Sequence, residues 1–365
     1  MTQDKFEELK TEADTYWETR SNGNIPLIRI GTAMCGHAAG AYRVADKLKT
    51  VLSERSIEAN FDEVGCLGLC YAEPLLDIKK PGSPRVFFNN VTADDIDQII
   101  EGYLINNVLP ESNVLGYMGE GEVPESAEAM GNIPGIALQN RIALRNAGHI
   151  APSNALQYIA TGGYSGLYKA VTTMEPSEVI DEVKNSGLRG RGGAAFPTGV
   201  KWSFLVGSPG PTKYILCNCE EGDPGAYNDK GILESDPHTL LEGLAIAGYA
   251  TGASNGIVFI RHGHDGPIDR TEAAITEAYE NGLLGENIFG SDFSFDIEVA
   301  LTGESYVAGE ETALMEAVEG KRSMPRFRPP FPAAFGVWGK PSNINNVKSL
   351  SYAPEIISKG SEWFS

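Results

Sequence analysis

An α/β fold in two domains is what the sequence predicts, on three observations. Short apolar strand candidates alternate with one-faced helices in the N-terminal part of the chain, and the same alternation resumes after residue 153. Between the two runs, periodicity fades into a stretch rich in Gly, Pro, Asn and acidic residues. The chain has 365 residues, 42% of them hydrophobic, which is enough for two separate cores.

Phe6, Leu9, Ala13 and Trp17 recur at helical spacing, so residues 1–22 read as an N-terminal helix. A strand is expected over 25–30. A helix follows in which Ala41, Val44, Ala45, Leu48, Val51 and Leu52 share one face. A second strand is expected over 61–64. Strands over 75–78 and 85–88 flank the turn-forming "KKPGSP", which predicts a hairpin. Thr92 is placed to cap a helix whose apolar face holds Ile96, Ile99 and Ile100. The resulting βαβ-ββα order over 23–105 describes a thioredoxin-like domain, and 106–152 reads as linker.

The second domain is expected over 153–365. Pro176 suits a first helical position, Val179, Ile180 and Val183 form a buried stripe, and Gly187 ends the helix. Strands over 214–218, 256–261 and 295–301 then alternate with helices over 238–250 and 267–281.

Charge excludes some functions. A formal net charge of −20 argues against nonspecific nucleic-acid binding, which needs a basic face, while a local pocket can still be basic and take an anionic ligand. The chain lacks an uninterrupted apolar run of membrane-spanning length, and its start lacks the apolar core of a signal peptide, so a cytoplasmic location is the default expectation. Five cysteines, an odd number, read as reduced thiols or metal ligands instead of a disulfide framework.

Several groups carry chemistry. Cys66 and Cys70 stand four apart around a glycine, and Cys35 lies in the first strand–helix loop. Three thiolates suit iron–sulfur or zinc chemistry, or they pack as small buried hydrophobes; spacing alone leaves both open. The stretch "GLRGRGGAAFPTGVKW" (187–202) sets glycines, whose backbone approaches a ligand closely, beside Arg189, Arg191 and Lys201, which neutralise anions. It follows a helix and does not match the dinucleotide fingerprint. "CNCEEGDPGAY" (217–227) begins at a strand end, where open α/β sheets place ligands; its carboxylates suit sugar or ribityl hydroxyls. Cys217 and Cys219 within it read as structural. Tyr306–Thr312 carries Gly309, Glu310 and Glu311 at a helix start, where acidic residues are also favoured by the dipole alone. "PRFRPPFP" (325–332) presents Arg326, Phe327, Arg328 and Phe331 on a stiff segment, or is a packed connector. Asn345 and Asn346 sit between apolar anchors, a place where Asn also simply caps turns. His262 and His264 read as structural.

In this order, "GLRGRGGAAFPTGVKW", "NCEEGDPGAY", "YVAGEETALMEAVEGKR", "PPFPA" and "WGKPSNINNV" resemble the NADH-binding flavoprotein subunit of respiratory complex I and its relatives in NAD-reducing and bifurcating hydrogenases, formate dehydrogenases and large anaerobic reductases. The N-terminal part resembles the thioredoxin-like [2Fe–2S] domain fused to that subunit in some branches. The resemblance implies an NADH dehydrogenase-type enzyme, in which FMN takes a hydride from NAD(H) and electrons pass singly to iron–sulfur partner subunits. It implies FMN contacts from Gly190, Arg191, Gly192, Lys201, Asn218, Glu220, Glu221, Tyr306, Gly309, Glu310, Asn345 and Asn346. Phe196, Asp223, Glu311, Arg328 and Phe331 are implied near NADH, and no side chain is expected to act as a general acid. Nucleic acid and membrane insertion are not expected.

Two departures bear on the metal centres. Ile30 stands where the resembled domain carries the first cysteine of a C-x4-C pair, which leaves Cys35, Cys66 and Cys70, with His37 as a candidate fourth ligand for [2Fe–2S]. The chain also ends at Ser365, ahead of the ubiquitin-like and [4Fe–4S] domains, so that cluster is expected only on a missing segment or a partner. Ala308 stands where cysteine is frequent. Two alternatives accompany the enzyme reading: a non-catalytic electron-wire or assembly paralogue that has lost a cluster, and an NADPH-preferring version in which Arg328 or Lys321 meets the extra phosphate.

Overall fold

The computed structural model describes residues 1–125, 127–303 and 305–365; Ser126, within the expected linker, and Glu304, within the expected second domain, lie outside the described residues. It divides into two compact units: Thr11–Pro152, and Ser153–Ser365 together with Met1–Lys10.

The Thr11–Pro152 unit is built on β1 (Leu27–Gly31), β2 (Asn60–Val64), β3 (Leu76–Lys79), β4 (Arg85–Phe88) and β5 (Val114–Met118). The sheet order is β2-β1-β3-β4-β5, with β1 parallel to β2 and the remaining pairs antiparallel. Helix Ala41–Glu54 forms where its apolar stripe was expected, and Val44, Ala45, Leu48 and Val51 are buried against Ile28, Ile30, Ile78 and Val86. The hairpin β3–β4 closes over Pro81 and Gly82 as turn chemistry requires. Thr92 forms a reciprocal capping box with Asp95, whose Oδ2 accepts from the Thr92 N–H at 2.8 Å.

The expected linker differs from its sequence reading. Residues 114–118 form β5, which pairs antiparallel with β4, and Met130 is buried in a small cluster with Leu67, Leu69 and Phe87. Of β5 only Gly116 is buried, so the strand lacks the alternating pattern that reveals strands in a sequence; Tyr117 N–H also donates to Glu128 O at 2.8 Å.

The second unit has a four-stranded parallel sheet in the order β8-β7-β6-β9, with β6 (Tyr214–Cys219), β7 (Asn255–Arg261), β8 (Asp296–Thr302) and β9 (Ser342–Asn346). Chain order runs outward from β6 to β8, then returns to the other side of β6 with β9. The gap between the C-terminal ends of β6 and β9 is therefore the switch point at which open α/β sheets bind ligands. Helix Pro237–Thr251 is apolar nearly all round and is buried along its length. Its interior acid, Glu242, accepts from Tyr158 Oη at 2.6 Å and from the Tyr164 and Leu167 N–H groups at 2.8 and 3.0 Å, which offsets the cost of burying it. Phe6, from the chain's start, packs against Tyr168 and Phe289.

Candidate cofactor-binding site

The glycine-rich stretch forms a pinned loop. Gly190 N–H donates to Phe196 O at 2.8 Å and Thr198 N–H to Leu188 O at 2.9 Å, closing its base. Arg191 N–H donates to Ser349 Oγ at 2.8 Å, tying its outer part to helix Val347–Ser351. Two glycines suit the geometry of the loop. Gly193 has φ +114°, where a side chain is strained, and a Cβ on Gly192 would stand 3.3 Å from Asn346 Cβ. Helix Thr198–Val206 begins directly after the loop.

Facing this loop across the switch point are the ends of β6 and β9. Together they bound a cavity of about 1060 Å³, just above the range of about 300–1,000 Å³ usual for small-molecule sites. The structure brings sixteen of the seventeen expected cofactor and NADH residues to its wall: Gly190, Arg191, Gly192, Phe196 and Lys201 from the loop and its helix; Asn218, Glu220, Glu221 and Asp223 after β6; Tyr306, Gly309, Glu310, Glu311 and Arg328; and Asn345 and Asn346. Phe331 is the exception. It is 61% exposed and outside the cavity wall, because its proline-flanked segment directs it elsewhere.

Several expected contacts are committed to protein partners, which shows what each is free to do. Glu221 Oε1 accepts from the Asn228 N–H at 2.8 Å and Oε2 from the Lys230 N–H at 3.0 Å, with Asp229 N–H shared between them. It satisfies the orphan donors of helix Asp229–Ser235, so its carboxylate shapes the cavity floor. Glu220 pairs with Arg261 Nη1 at 2.5 Å, and Asn218 Nδ2 donates to Gly309 O at 2.8 Å, which joins β6 to the 306–309 turn. Asn345 Oδ1 accepts from Trp202 Nε1 at 3.3 Å, and Asn346 caps helix Val347–Ser351 through Lys348 N–H at 3.0 Å. Glu310 caps helix Glu311–Val318; burial works against its charge, but bonds from Thr312 and Ala313 outweigh it and hold its carboxyl below the ordinary range.

Electrostatically the wall is mixed. Lys201 Nζ donates to Ile344 O at 2.5 Å and lies 3.5 Å from Glu311 Oε2, while Arg328 pairs with Glu311 and, at 3.3 Å, with Glu310. Burial and the neighbouring Glu221 push Asp229 up to about 6, against the bond from Asn346.

Sequence reasoning missed Thr198, Asp229 and Ser349. Thr198 stands inside the quoted "FPTG", yet nothing in that pattern marks its hydroxyl. In the structure Thr198 is 2% exposed and lines the cavity, and its Oγ1 has no hydrogen-bond partner among the described residues. An orphaned hydroxyl at a helix start beside Lys201 fits a phosphorylated ligand, and the cavity's size and donor set fit FMN.

In the other unit, Cys35, Cys66 and Cys70 converge: their sulfurs lie within 4.8 Å of one another, the one such group among the described residues. Cys35 is held down to about 6, first by the Cys66 thiol and then, against burial, by the Cys70 thiol; Cys66 is pushed up by its bond to Cys35 and then by burial, and Cys70 by burial and then by the Cys35 charge. Ile30 is fully buried in the apolar core of β1, so no fourth thiolate exists there. His37 does not join the group. It is exposed and packs edge-on against Tyr42 at 4.6 Å. Three thiolates do not make up a four-cysteine cluster site. Cys217 and Cys219 are buried on β6, where burial raises both thiols.

Among the described residues, no helix is long and apolar enough to cross a membrane. Residues 183–355 match the family described as the Nuo51 FMN-binding domain. The NADP-reducing hydrogenase subunit HndC of Solidesulfovibrio fructosivorans is 53% identical over 227 residues, 62% of this chain and 46% of that protein. An NADH-quinone oxidoreductase subunit of Rhizobium meliloti (strain 1021) is 50% identical over 207 residues, 57% of this chain and 49% of that protein. The chain thus spans about half the length of the curated relatives it matches. Among solved structures, the NAD+-reducing [NiFe]-hydrogenase in the H2-reduced state aligns with a TM-score of 0.52 and 26% identity, over 97% of this chain and 56% of that one. Residues 183–355, which include the loop and the strand ends that wall the cavity, are thus the part of the chain that is similar to the Nuo51 FMN-binding domain.

Proposed function

We propose that this chain is the flavoprotein part of a cytoplasmic, multi-subunit oxidoreductase, in which NAD(H) exchanges a hydride with FMN and electrons leave singly for iron–sulfur partners. The observation that carries the reading is the convergence of separated motifs on one cavity at the β6–β9 switch point.

Bound FMN would supply the redox chemistry, moving from two-electron to one-electron transfer. The chain's own residues bind and orient. The glycine loop of Gly190, Arg191 and Gly192 gives a flat wall against a ring, and Arg191 is held outward over Tyr352. Lys201 and the Thr198 hydroxyl meet the phosphate at the start of helix Thr198–Val206. Asn218, Glu220 and Glu221 fix the floor, Tyr306, Gly309 and Glu310 border the ring, and Asn345 and Asn346 close the β9 side. Phe196, Asp223, Glu311 and Arg328 line the approach for the nicotinamide nucleotide, with Phe196 (44% exposed) as the stacking surface.

NADH is the better reading than NADPH. The two basic groups expected to meet a 2′-phosphate are already engaged by acids, Arg328 by Glu310 and Glu311, and Lys321 by Glu319 at 2.6 Å.

The test is an anaerobic visible spectrum of the flavin-loaded chain. One equivalent of NADH is expected to bleach the flavin band, and NADPH to do so far more slowly. A loaded flavin indifferent to both coenzymes contradicts the enzyme reading and favours a non-catalytic paralogue.

A further inference from the structure

The three thiols of the Thr11–Pro152 unit are spaced for one metal ion. A tetrahedral ion with metal–sulfur bonds of about 2.3 Å holds its thiolates about 3.8 Å apart. Cys66 Sγ and Cys70 Sγ are 4.0 Å apart, and Cys35 Sγ lies within 4.8 Å of both. A two-iron cluster instead places a second iron and bridging sulfides between two pairs of thiolates. The second member of one pair is absent here, since Ile30 faces the apolar core.

A fourth donor of another kind stands beside one thiol: Glu73 reaches Cys35 but lies outside the group of three mutually close sulfurs, so a shift of its side chain completes the set. Glu73 is 6% exposed, and its Oε1 lies 3.8 Å from Cys35 Sγ. With metal–oxygen bonds of about 2.1 Å, sulfur and oxygen ligands of a tetrahedral ion are separated by about 3.6 Å. Glu73 Oε2 accepts from Leu75 N–H at 2.8 Å, which orients the carboxylate and leaves Oε1 on the thiol side. The neighbouring backbone makes room: a Cβ at Gly31 would stand 3.1 Å from Glu73 Oε2, and one at Gly36 3.2 Å. Gly68 N–H donates to Cys66 Sγ at 3.2 Å, a bond that favours thiolate over thiol.

We propose that Cys35, Cys66, Cys70 and Glu73 hold a single tetrahedral divalent ion, zinc by ligand type, in place of an iron–sulfur cluster. With Glu73 drawn in beside Cys35, three thiolates and a carboxylate would form a closed set with no open position, which marks a structural centre. The ion pins three separate pieces of chain: helix Met34–Ala39, the loop after β2, and the turn Cys70–Ala72. It carries no electrons. Binding displaces the protons that the thiols hold in the free protein.

The full chain, stripped with a chelator and kept anaerobic, is titrated with Co2+ alone. One Co2+ per chain is expected, with sulfur-to-metal charge-transfer absorption of three thiolates and the visible bands of tetrahedral cobalt, lost stoichiometrically on adding Zn2+. Cys66→Ser is expected to remove about a third of the charge-transfer intensity, one thiolate of three. Glu73→Gln keeps an acceptor for Leu75 N–H and is expected to weaken zinc at least about tenfold. Circular dichroism identifies any variant that fails to fold, and the cobalt spectrum of the unaltered chain decides the matter in that event. Failure to bind Co2+ overturns the proposal. So does anaerobic reconstitution with iron and sulfide that gives two irons and two sulfides per chain and resists zinc. Unchanged affinity in folded Glu73→Gln overturns the Glu73 assignment. Cobalt absorption reads this unit and flavin content reads the other, so the proposal stands or falls apart from the flavin reading.

Discussion

Thr198 and Glu221 show how differently two side chains on the same cavity wall act. The Thr198 hydroxyl is buried without a partner, so it is poised for a ligand and contributes nothing favourable to the empty fold. Thr198→Val is expected to lower FMN affinity about three- to tenfold, equivalent to about 1 kcal/mol for one hydrogen bond, and to leave the unliganded melting temperature unchanged or slightly higher. Flavin fluorescence titration with a parallel melt checks both. Glu221 behaves in the opposite way, because its carboxylate serves three backbone donors of its own chain. Glu221→Gln is expected to cost about 1–2 kcal/mol of stability even without flavin, read as a lower denaturation midpoint, and to reduce flavin retention in consequence. Asp229 adds a pH dependence. Its folded value, raised to about 6, exceeds the unfolded one, so the folded state holds more protons between about pH 4 and 6 and loses stability as pH rises through that window. Asp229→Asn is expected to gain about 1–3 kcal/mol at pH 7 and to flatten that slope in denaturant titrations at a series of pH values.

Elements with a strong period were legible in the sequence. Helices Ala41–Glu54 and Pro176–Asn185, strands β6 and β7, and the β3–β4 hairpin lie where stripes, caps and turn residues put them. What escaped has physical causes. β9 is the strand "SNINN", whose polar side chains are buried and bonded to one another and to neighbouring elements, so it has neither alternation nor β-propensity. β5 is short, contains a glycine and sits next to β4 at the sheet edge. The order of the motifs led to residues that line one cavity, whereas Phe331 stands outside its wall, because position in a motif says nothing of where a stiff proline segment points. Helix Pro237–Thr251 owes its burial partly to Gly243, where a Cβ would collide with the backbone of Leu350 in helix Val347–Ser351. Gly243→Ala is expected to destabilise by about 1–3 kcal/mol despite alanine's better helix propensity, and to loosen the helix that Asn346 caps. A thermal melt at equal flavin saturation reads the effect.

At the scale of the whole molecule, acid is expected to unfold the chain before its carboxylates are neutralised, and each unit supplies a histidine for this. Burial, with Arg85 nearby, lowers His149 to about 3; burial lowers His238 to about 4, against the Ser153 carbonyl. Both folded values lie below the unfolded one, so the unfolded chain takes up protons that the folded chain refuses once pH falls below about 6.5. Each site is expected to cost about 2 kcal/mol between pH 6.5 and pH 5, visible as an early fall of the denaturation midpoint in an acid series. His149→Gln and His238→Gln are expected to make that fall shallower, whatever their effect at pH 7. The net charge of −20 sets a wider field that repels polyanions, while the local cations Arg191, Lys201 and Lys348 still make the cavity hospitable to a phosphate. The most direct measurement of the central claim is a crystal structure of the chain grown with FMN. The account predicts the isoalloxazine ring lying flat on the 190–193 loop, with its phosphate near Thr198 and Lys201 and Asn345–Asn346 alongside. A flavin bound elsewhere, or a cavity that closes and excludes it, would contradict the account.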